Sequence, residues 1–315
     1  LTGYVVRRLL ATLPVLLGVT VVAFALTYLL PGDPARALAG ERYRDEDLER
    51  IRRELGLDRP VAHQYAAYLG RLARGDLGES FATGRPVAAE LAERFPRTLL
   101  LAASAMGVAV ALGIALGTAA AWRRGRLLDR LSMLFALGGI SVPVFVSAIL
   151  LLWVFAVLLR WLPPSGYVDA APLAVVLPAT TLGVRSAAML ARMTRSSLVE
   201  ALAQDFVRTG RAKGAPEIAV VVRHGLRNAL VPVVTLIGLD FGSYLSGSVL
   251  TESIFAWPGV GQYALTAILR RDFPAVQGTV LFLSLVFVLV NLAVDLLYGA
   301  LDPRIRRSQR GDAAR

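Results

Sequence analysis

The chain has 315 residues, 56% of them hydrophobic, and a mean hydropathy of +0.58, which is too apolar for a soluble domain built round one core. Its net charge of +11 comes from arginines clustered in short segments between apolar runs. That pattern fits orientation across a bilayer beside anionic headgroups and not nucleic-acid binding. Cysteine is absent, which excludes thiol catalysis, disulfides and cysteine metal sites, and the two histidines, His63 and His224, lie far apart in sequence.

Lys213, the single lysine, sits between Ala212 and Gly214, so no G-x-x-x-x-G-K-[ST] loop exists. Gly78 to Gly84 has the glycines of a phosphate loop but runs into Arg85-Pro86. No cofactor is expected on this chain, and any nucleotide energy must come from a partner.

In chain order, Arg7 and Arg8 precede an apolar run from Leu9 to Leu30, long enough to span the hydrocarbon core. A signal peptide is the competing reading, with Ala37-Leu-Ala39 as its cleavage site. The run exceeds the roughly 7–15 apolar residues of such a peptide, so a retained helix is expected, stopped by Pro31-Gly-Asp-Pro34. Residues 35–96 turn polar. Asp45 is suited to cap a helix with Leu48, Ile51 and Leu55 on one stripe, ending at Gly56. Pro60 opens another, with Val61, Tyr65, Tyr68, Leu69 and Leu72 on its buried face. Turns are expected at Gly75–Gly78 and Thr83–Pro86, then an amphipathic helix over Val87–Phe95. This insert is too small to be stable without docking.

Further apolar runs cover Thr98–Trp122, Leu131–Leu159, Pro172–Leu190, Ala229–Leu250 and Ala275–Ala300. The fold class is therefore an all-α integral membrane protein with six transmembrane helices and a small helical insert between the first two. Residues 1–34 form the first span, 35–96 the insert, 97–301 a five-helix core and 302–315 a basic tail. Arginines concentrate at 123–130, at 192–228 and at both ends, whereas the opposite short loops hold only Arg160, Arg270 and Arg271. The positive-inside rule puts both termini and 192–228 in the cytoplasm and the insert outside. Trp153, Trp161 and Trp257 then fall at the outer interface and Trp122 at the inner one.

The stretch from Ser197 to Val231 is the longest polar interruption of the C-terminal two-thirds. Ser197-x-x-Glu200 reads as a capping box, followed by Val199, Leu202 and Phe206 at helical spacing. Gly214 suits the left-handed residue that ends a helix, and Pro216 the first turn of the next. Two amphipathic helices should meet there at a fixed corner, which either lies on lipid or presses on a partner.

Inside the spans, Asp240 is the costly residue. A carboxylate in the bilayer faces a bundle interior or water, so Asp240 either lines a polar path or pairs with Arg185 of the fourth span. Arg185 itself reads as structural or as lying near the cytoplasmic mouth. Pro258 and its glycine neighbours read as a tight turn before a helix over Gln262–Leu269, a corner near a gate with Glu252 and Phe255 as pathway candidates. Asp295 and Asp302-Pro-Arg304 read as a helix stop and anchor. Taken with Asp240 as an ion-coupling group, Asp295 would instead suit a self-contained carrier or channel. No Ser-His-acid or H-E-x-x-H arrangement supports a hydrolase. Gly113-x-x-x-Gly117 allows close helix packing.

Several segments resemble one family, the membrane-spanning subunits of bacterial ATP-binding-cassette importers for di- and oligopeptides, in particular the first of their two permease chains. They are Tyr4-Val-Val-Arg-Arg-Leu-Leu10 with Leu29-Leu-Pro-Gly-Asp-Pro34, then Leu55-Gly-Leu-Asp58, Gly75-Asp-Leu-Gly78 and Arg94-Phe-Pro-Arg-Thr98. Asp205-Phe-Val-Arg-Thr-Gly-Arg-Ala-Lys-Gly214 with Arg223-His-Gly-Leu-Arg-Asn228 and Pro232 is similar to that family's coupling loop. Glu252-Ser-Ile-Phe-Ala-Trp-Pro-Gly-Val-Gly261, Val294-Asp-Leu-Leu-Tyr298 and Leu301-Asp-Pro-Arg-Ile-Arg306 complete the likeness, which covers nearly the whole chain. Two departures stand out. The importer-wide Glu-Ala-Ala-x-x-x-Gly pattern, anchored on Gly214, would place glutamate where this chain has Arg208. Gly210 stands where alanine is expected, which loosens a helix by up to about 1 kcal/mol.

The resemblance implies the type I importer permease fold in the bacterial inner membrane and a machine of several chains. A second homologous permease would complete the pathway, two ATPase subunits would bind ATP and Mg on the cytoplasmic side, and an external binding protein would deliver peptide. The segment 200–216 would couple the permease to an ATPase and drive alternating access, with the contact carried by Asp205, Arg208, Thr209, Gly210, Arg211, Ala212, Lys213, Gly214, Ala215 and Pro216. Sister permeases serve dipeptides, longer peptides, glutathione, nickel chelates or sugars.

Overall fold

A computed structural model describes residues 2–29, 33–39, 44–167, 172–246 and 248–301. Among them the regular elements are helical, with one isolated bridge between Glu79 and Pro86. Five helical stretches are long and apolar enough to cross a membrane: Leu10–Leu29, Val87–Trp122, Leu173–Leu202, Glu217–Leu245 and Phe273–Val294. A bent pair, Leu127–Ser141 with Val144–Leu158, makes a sixth span if counted as one. The chain divides into two compact units, and it passes between them three times, at Thr98–Leu99, Trp257–Pro258 and Leu292–Ala293.

The first unit comprises the residues up to Thr98 together with Pro258–Leu292. Helix α1 (Thr2–Leu29) is followed by α2 (Pro34–Ala39), α3 (Asp45–Glu54) and α4 (Val61–Leu72). Acids in the first turn of α3 and Arg52 and Arg53 in its last turn complement the helix dipole. Its cap is Arg44, and Asp45, the expected cap, is the first helical residue. The insert docks on α1 through aromatic rings. Phe24 lies 5.3 Å from Tyr65 and 5.6 Å from Tyr68, and Thr20 Oγ1 and the Tyr65 hydroxyl are hydrogen-bonded at 2.7 Å. Tyr68 is buried as expected, whereas Val61 at the start of the same stripe is exposed.

Asp272, buried just before the helix Phe273–Leu301, accepts hydrogen bonds from Ser80 Oγ (2.5 Å), Phe81 N (3.1 Å), Ala82 N (3.1 Å) and Ala275 N (3.2 Å). The Phe81 and Ala82 amides of the glycine-rich 78–84 turn are thus committed to a protein carboxylate, which explains a loop that mimics a phosphate cradle without being one. Gly78 and Gly84 supply the positive φ the turn needs, +84° and +66°. Helix α5 (Val87–Trp122) begins here and continues through Pro96 without a break.

The second unit, from Leu99 to Trp257 and from Ala293 onward, is built round α8 (Val176–Leu202). Small residues let neighbouring helices close on it. A Cβ on Gly113 of α5 would lie 2.6 Å from Leu190 Cβ, one on Gly117 2.6 Å from the Ala191 carbonyl oxygen, and one on Gly139 2.8 Å from Ala188 Cβ. This is the small-residue packing that Gly113 and Gly117 signal in the sequence.

Three expected boundaries are corrected. The third span is not one straight helix: α6 (Leu127–Ser141) and α7 (Val144–Leu151, continued as a π-helix over Leu152–Leu158) meet at 107°. Pro143 causes it, because proline forces Val142 into an extended conformation (ψ 126°) and cannot donate back into α6. The fourth span does not end at Leu190, and Ser197 with Glu200 caps nothing. Both lie inside α8, whose apolar seam through Leu198 and Ala201 continues to Leu202. The fifth span closes at Leu245, before a short α12 (Val249–Ile254). The resemblance segment from Asp302 to Arg306 and the basic tail lie outside the described residues.

Candidate functional site

After α8 the chain turns at Ala203 and Gln204 into α9 (Asp205–Ala212), an amphipathic helix whose buried anchor is Val207. Gly214 ends it with φ +78°: Gly214 N donates to the Arg211 carbonyl at 2.9 Å and Ala215 N to the Gly210 carbonyl at 3.3 Å. These are the paired bonds of a left-handed helix stop. Pro216 is extended and precedes α10 (Glu217–Ala219). Arg211 grips Glu217 across the corner through two hydrogen bonds of 2.7 and 3.1 Å. Asp205, Arg208, Thr209, Arg211, Ala212, Lys213, Gly214 and Pro216 are exposed, with Gly210 and Ala215 half-buried. Phe206 and Ile218 add exposed apolar surface on either side.

The corner rests on a stiff base. A π-helical turn, Val220–Leu226, joins α10 to α11 (Arg227–Leu245), and its Gly225 presses against α8 so closely that a Cβ there would be 2.8 Å from Leu198 Cδ1. A Cβ on Gly210 would meet only His224, at 3.7 Å. The glycine therefore loosens α9 without making a contact that alanine would forbid.

Above this base, α8 is buried on most sides but leaves one polar face open. Arg185, Arg192, Ser196 and Glu200 are exposed and Met189 is half-buried, at the spacing of one helical stripe. Beside it on α11, Asp240 is half-buried, and its Oδ2 is buried with no hydrogen-bond partner among the described residues. One turn further along, the Tyr244 hydroxyl donates to the Leu182 carbonyl at 2.9 Å and shares a 2.5 Å hydrogen bond with Ser186 Oγ. Asp240 and Arg185 form no ion pair with each other, so of the two alternatives for Asp240, a polar path or a pairing with Arg185, the pairing is not formed here.

Two family descriptions match the chain in succession. "Binding-prot-dependent transport system membrane comp, N-term" covers residues 1–102, and "Binding-protein-dependent transport system inner membrane component" covers residues 113–307. The chain belongs to this family. It is 47% identical over 304 residues to the glutathione transport system permease protein GsiC of Escherichia coli O6:H1, covering 96% of this chain and 99% of the relative. The proteins of the same name from E. coli K12 and Shigella dysenteriae serotype 1 are each 46% identical over 304 residues, with the same coverage. The protein is thus the permease subunit of an ATP-binding-cassette importer. It is a multi-pass inner-membrane chain, not itself catalytic, that works with ATPase and substrate-binding partners. The self-contained carrier reading of Asp240 and Asp295 gives way to this membership, and the Asp295 side chain lies outside the described residues.

Other residues of the permease stand where the sequence does not put them. Glu252 and Phe255 are fully buried, not exposed to a path as expected, and Phe255 packs with Ala148 and Leu177. Trp257 is likewise no interfacial belt residue. It is buried edge-to-face on Tyr167, 5.0 Å between centroids, while Trp122, Trp153 and Trp161 are exposed. The sequence reading missed the pairing of Asp129, buried at the start of α6, with Arg195 of α8. Arg195 donates to it at 2.5 and 2.8 Å, and Gly125 N donates at 2.9 Å. The available signal was an acid alone among the arginines at 123–130.

Proposed function

We propose that this permease admits short peptides, and that its corner from Asp205 to Pro216 is the surface an ATPase subunit grips. The observation that carries the reading is the construction of that corner: exposed and basic, closed by Gly214, clasped by Arg211 and Glu217, and seated on α8 through Gly225. A helix held this way transmits displacement to α8, whose open polar stripe would line the path. The full assembly would contain a second homologous permease, two ATPases that bind ATP and Mg, and an external binding protein. The distribution of arginines supports both termini and the corner in the cytoplasm, with residues 35–96 outside. The relatives are named for glutathione, itself a short peptide, which supports a small peptide cargo here.

The absence of cysteine makes the test clean. Thr209→Cys or Lys213→Cys, co-expressed with the ATPase subunits, should crosslink to one of them, more strongly in one nucleotide state. Labelling of the same thiols only from outside the cell, with no crosslink, would overturn the coupling role. Peptide uptake is read separately, from binding-protein-stimulated ATPase activity across peptide lengths with glutathione included.

A further inference from the structure

We propose that Asp240 and Arg185 form a zwitterion-binding station in the permease, with Asp240 receiving the ligand's ammonium group and Arg185 its carboxylate. The inference rests on the reading of the cargo as a short peptide.

Tyr244 has one hydroxyl proton, and it goes to the Leu182 carbonyl. The Ser186 proton therefore goes to the Tyr244 oxygen, so neither neighbouring hydroxyl has a proton left for Asp240. Asp240 is half-buried and so stays reachable, while its shielded Oδ2 has no hydrogen-bond donor among the described residues, a costly arrangement for a carboxylate inside a membrane-spanning helix. Arg185 is exposed on the open polar stripe of α8 and makes no hydrogen bond or ion pair with a described residue.

The two charges sit on helix segments that one hydrogen-bonded tyrosine joins. Asp240 and Tyr244 are four residues apart on α11 and share a face, and Tyr244 is bonded to the α8 turn, Leu182 to Ser186, that contains Arg185. An acidic and a basic group, not paired with each other and carried on adjacent helices that Tyr244 ties together, match a molecule with both charges at its ends. A peptide with free termini is such a molecule. The Tyr244–Ser186 pair ties the two helices together.

The test uses the full complex in liposomes with saturating binding protein. It compares uptake of a zwitterionic tripeptide, its N-acetyl form and its C-terminal amide, each normalised to the unaltered permease. Asp240→Asn should lower uptake of the free peptide about tenfold while sparing the N-acetyl form, and Asp240→Glu should restore it. Arg185→Gln should lower the free and N-acetyl forms and spare the amide. Equal loss on all three peptides would overturn the station. Failure of the Asp240→Asn complex to assemble would also overturn it, by making the carboxylate a counter-ion for the second permease. Should the unaltered complex stimulate its ATPase but take up none of the three, the peptide reading fails first and the inference falls with it.

Discussion

Helices α1 and α8 are both spans, yet they divide the work of a membrane protein between them. In its most apolar stretch α1 has a mean hydropathy of 2.2 and is 6% buried, whereas α8 reaches only 1.6 and is 56% buried. The less hydrophobic span is the one enclosed by protein. In a bilayer, hydropathy reports what faces lipid. Enclosure depends on small residues that let helices approach and on polar groups that find partners between them. Helix α8 carries both, in Gly183, Ala187, Ala188 and Ala191 and in Arg195.

The sharpest way to break this contrast is to remove the polar partner. Arg195→Gln leaves the buried Asp129 carboxylate without its counter-ion and should cost about 3–5 kcal/mol, read as a large drop in the thermal stability of the purified complex. The double variant with Asp129→Asn should recover most of that loss. Next in size, Gly117→Ala drives a Cβ to within 2.6 Å of backbone and should destabilise by about 1–3 kcal/mol. Gly18→Ala on α1, where nothing lies within 4 Å, should instead gain up to about 1 kcal/mol from helix propensity. Equal losses at Gly18 and Gly117 would erase the difference between the two spans.

Smaller effects are expected at the corner. Gly210→Ala should stiffen α9 by up to about 1 kcal/mol, and coupled transport per ATP hydrolysed shows whether that stiffness matters. Breaking the clasp with Glu217→Gln should change stability by less than about 1 kcal/mol, because both partners are nearly half exposed. A stability loss as large as that of Arg195→Gln would mean the clasp is more than a surface pair. Smallest is an acid effect at Asp33. Burial raises its carboxyl pKa, but hydrogen bonds from Arg52 and the Ala35 amide outweigh it, and the pKa sits below its ordinary value. The folded state therefore binds this proton less readily than the unfolded chain does. The contribution is present above the ordinary carboxylate range and fades as the pH falls through the lowered folded value. Asp33→Asn should flatten the acid limb of a stability-against-pH curve and leave neutral pH nearly unchanged.

What could be read from residues alone was local or compositional. Apolar runs of spanning length located the membrane helices. Gly214 announced its left-handed stop because a side chain there would be strained, and Gly113 with Gly117 announced a close approach because nothing larger fits. Periodicity failed where a short-range rule met a long-range decision. Ser197 and Glu200 have the spacing of a cap, but α8 continues through them because Leu198 and Ala201 pack into a core with Ala121, Val221 and Ala229. Pro143 marks a break in the third span, yet only the packing of the chain decides that it becomes a 107° bend. Asp129 finds Arg195 across 66 residues and Asp272 finds Ser80 across 192. Such pairings depend on which helix faces come to lie together, which no local spacing encodes. The open polar face of α8 was settled the same way, by what the surrounding helices left uncovered.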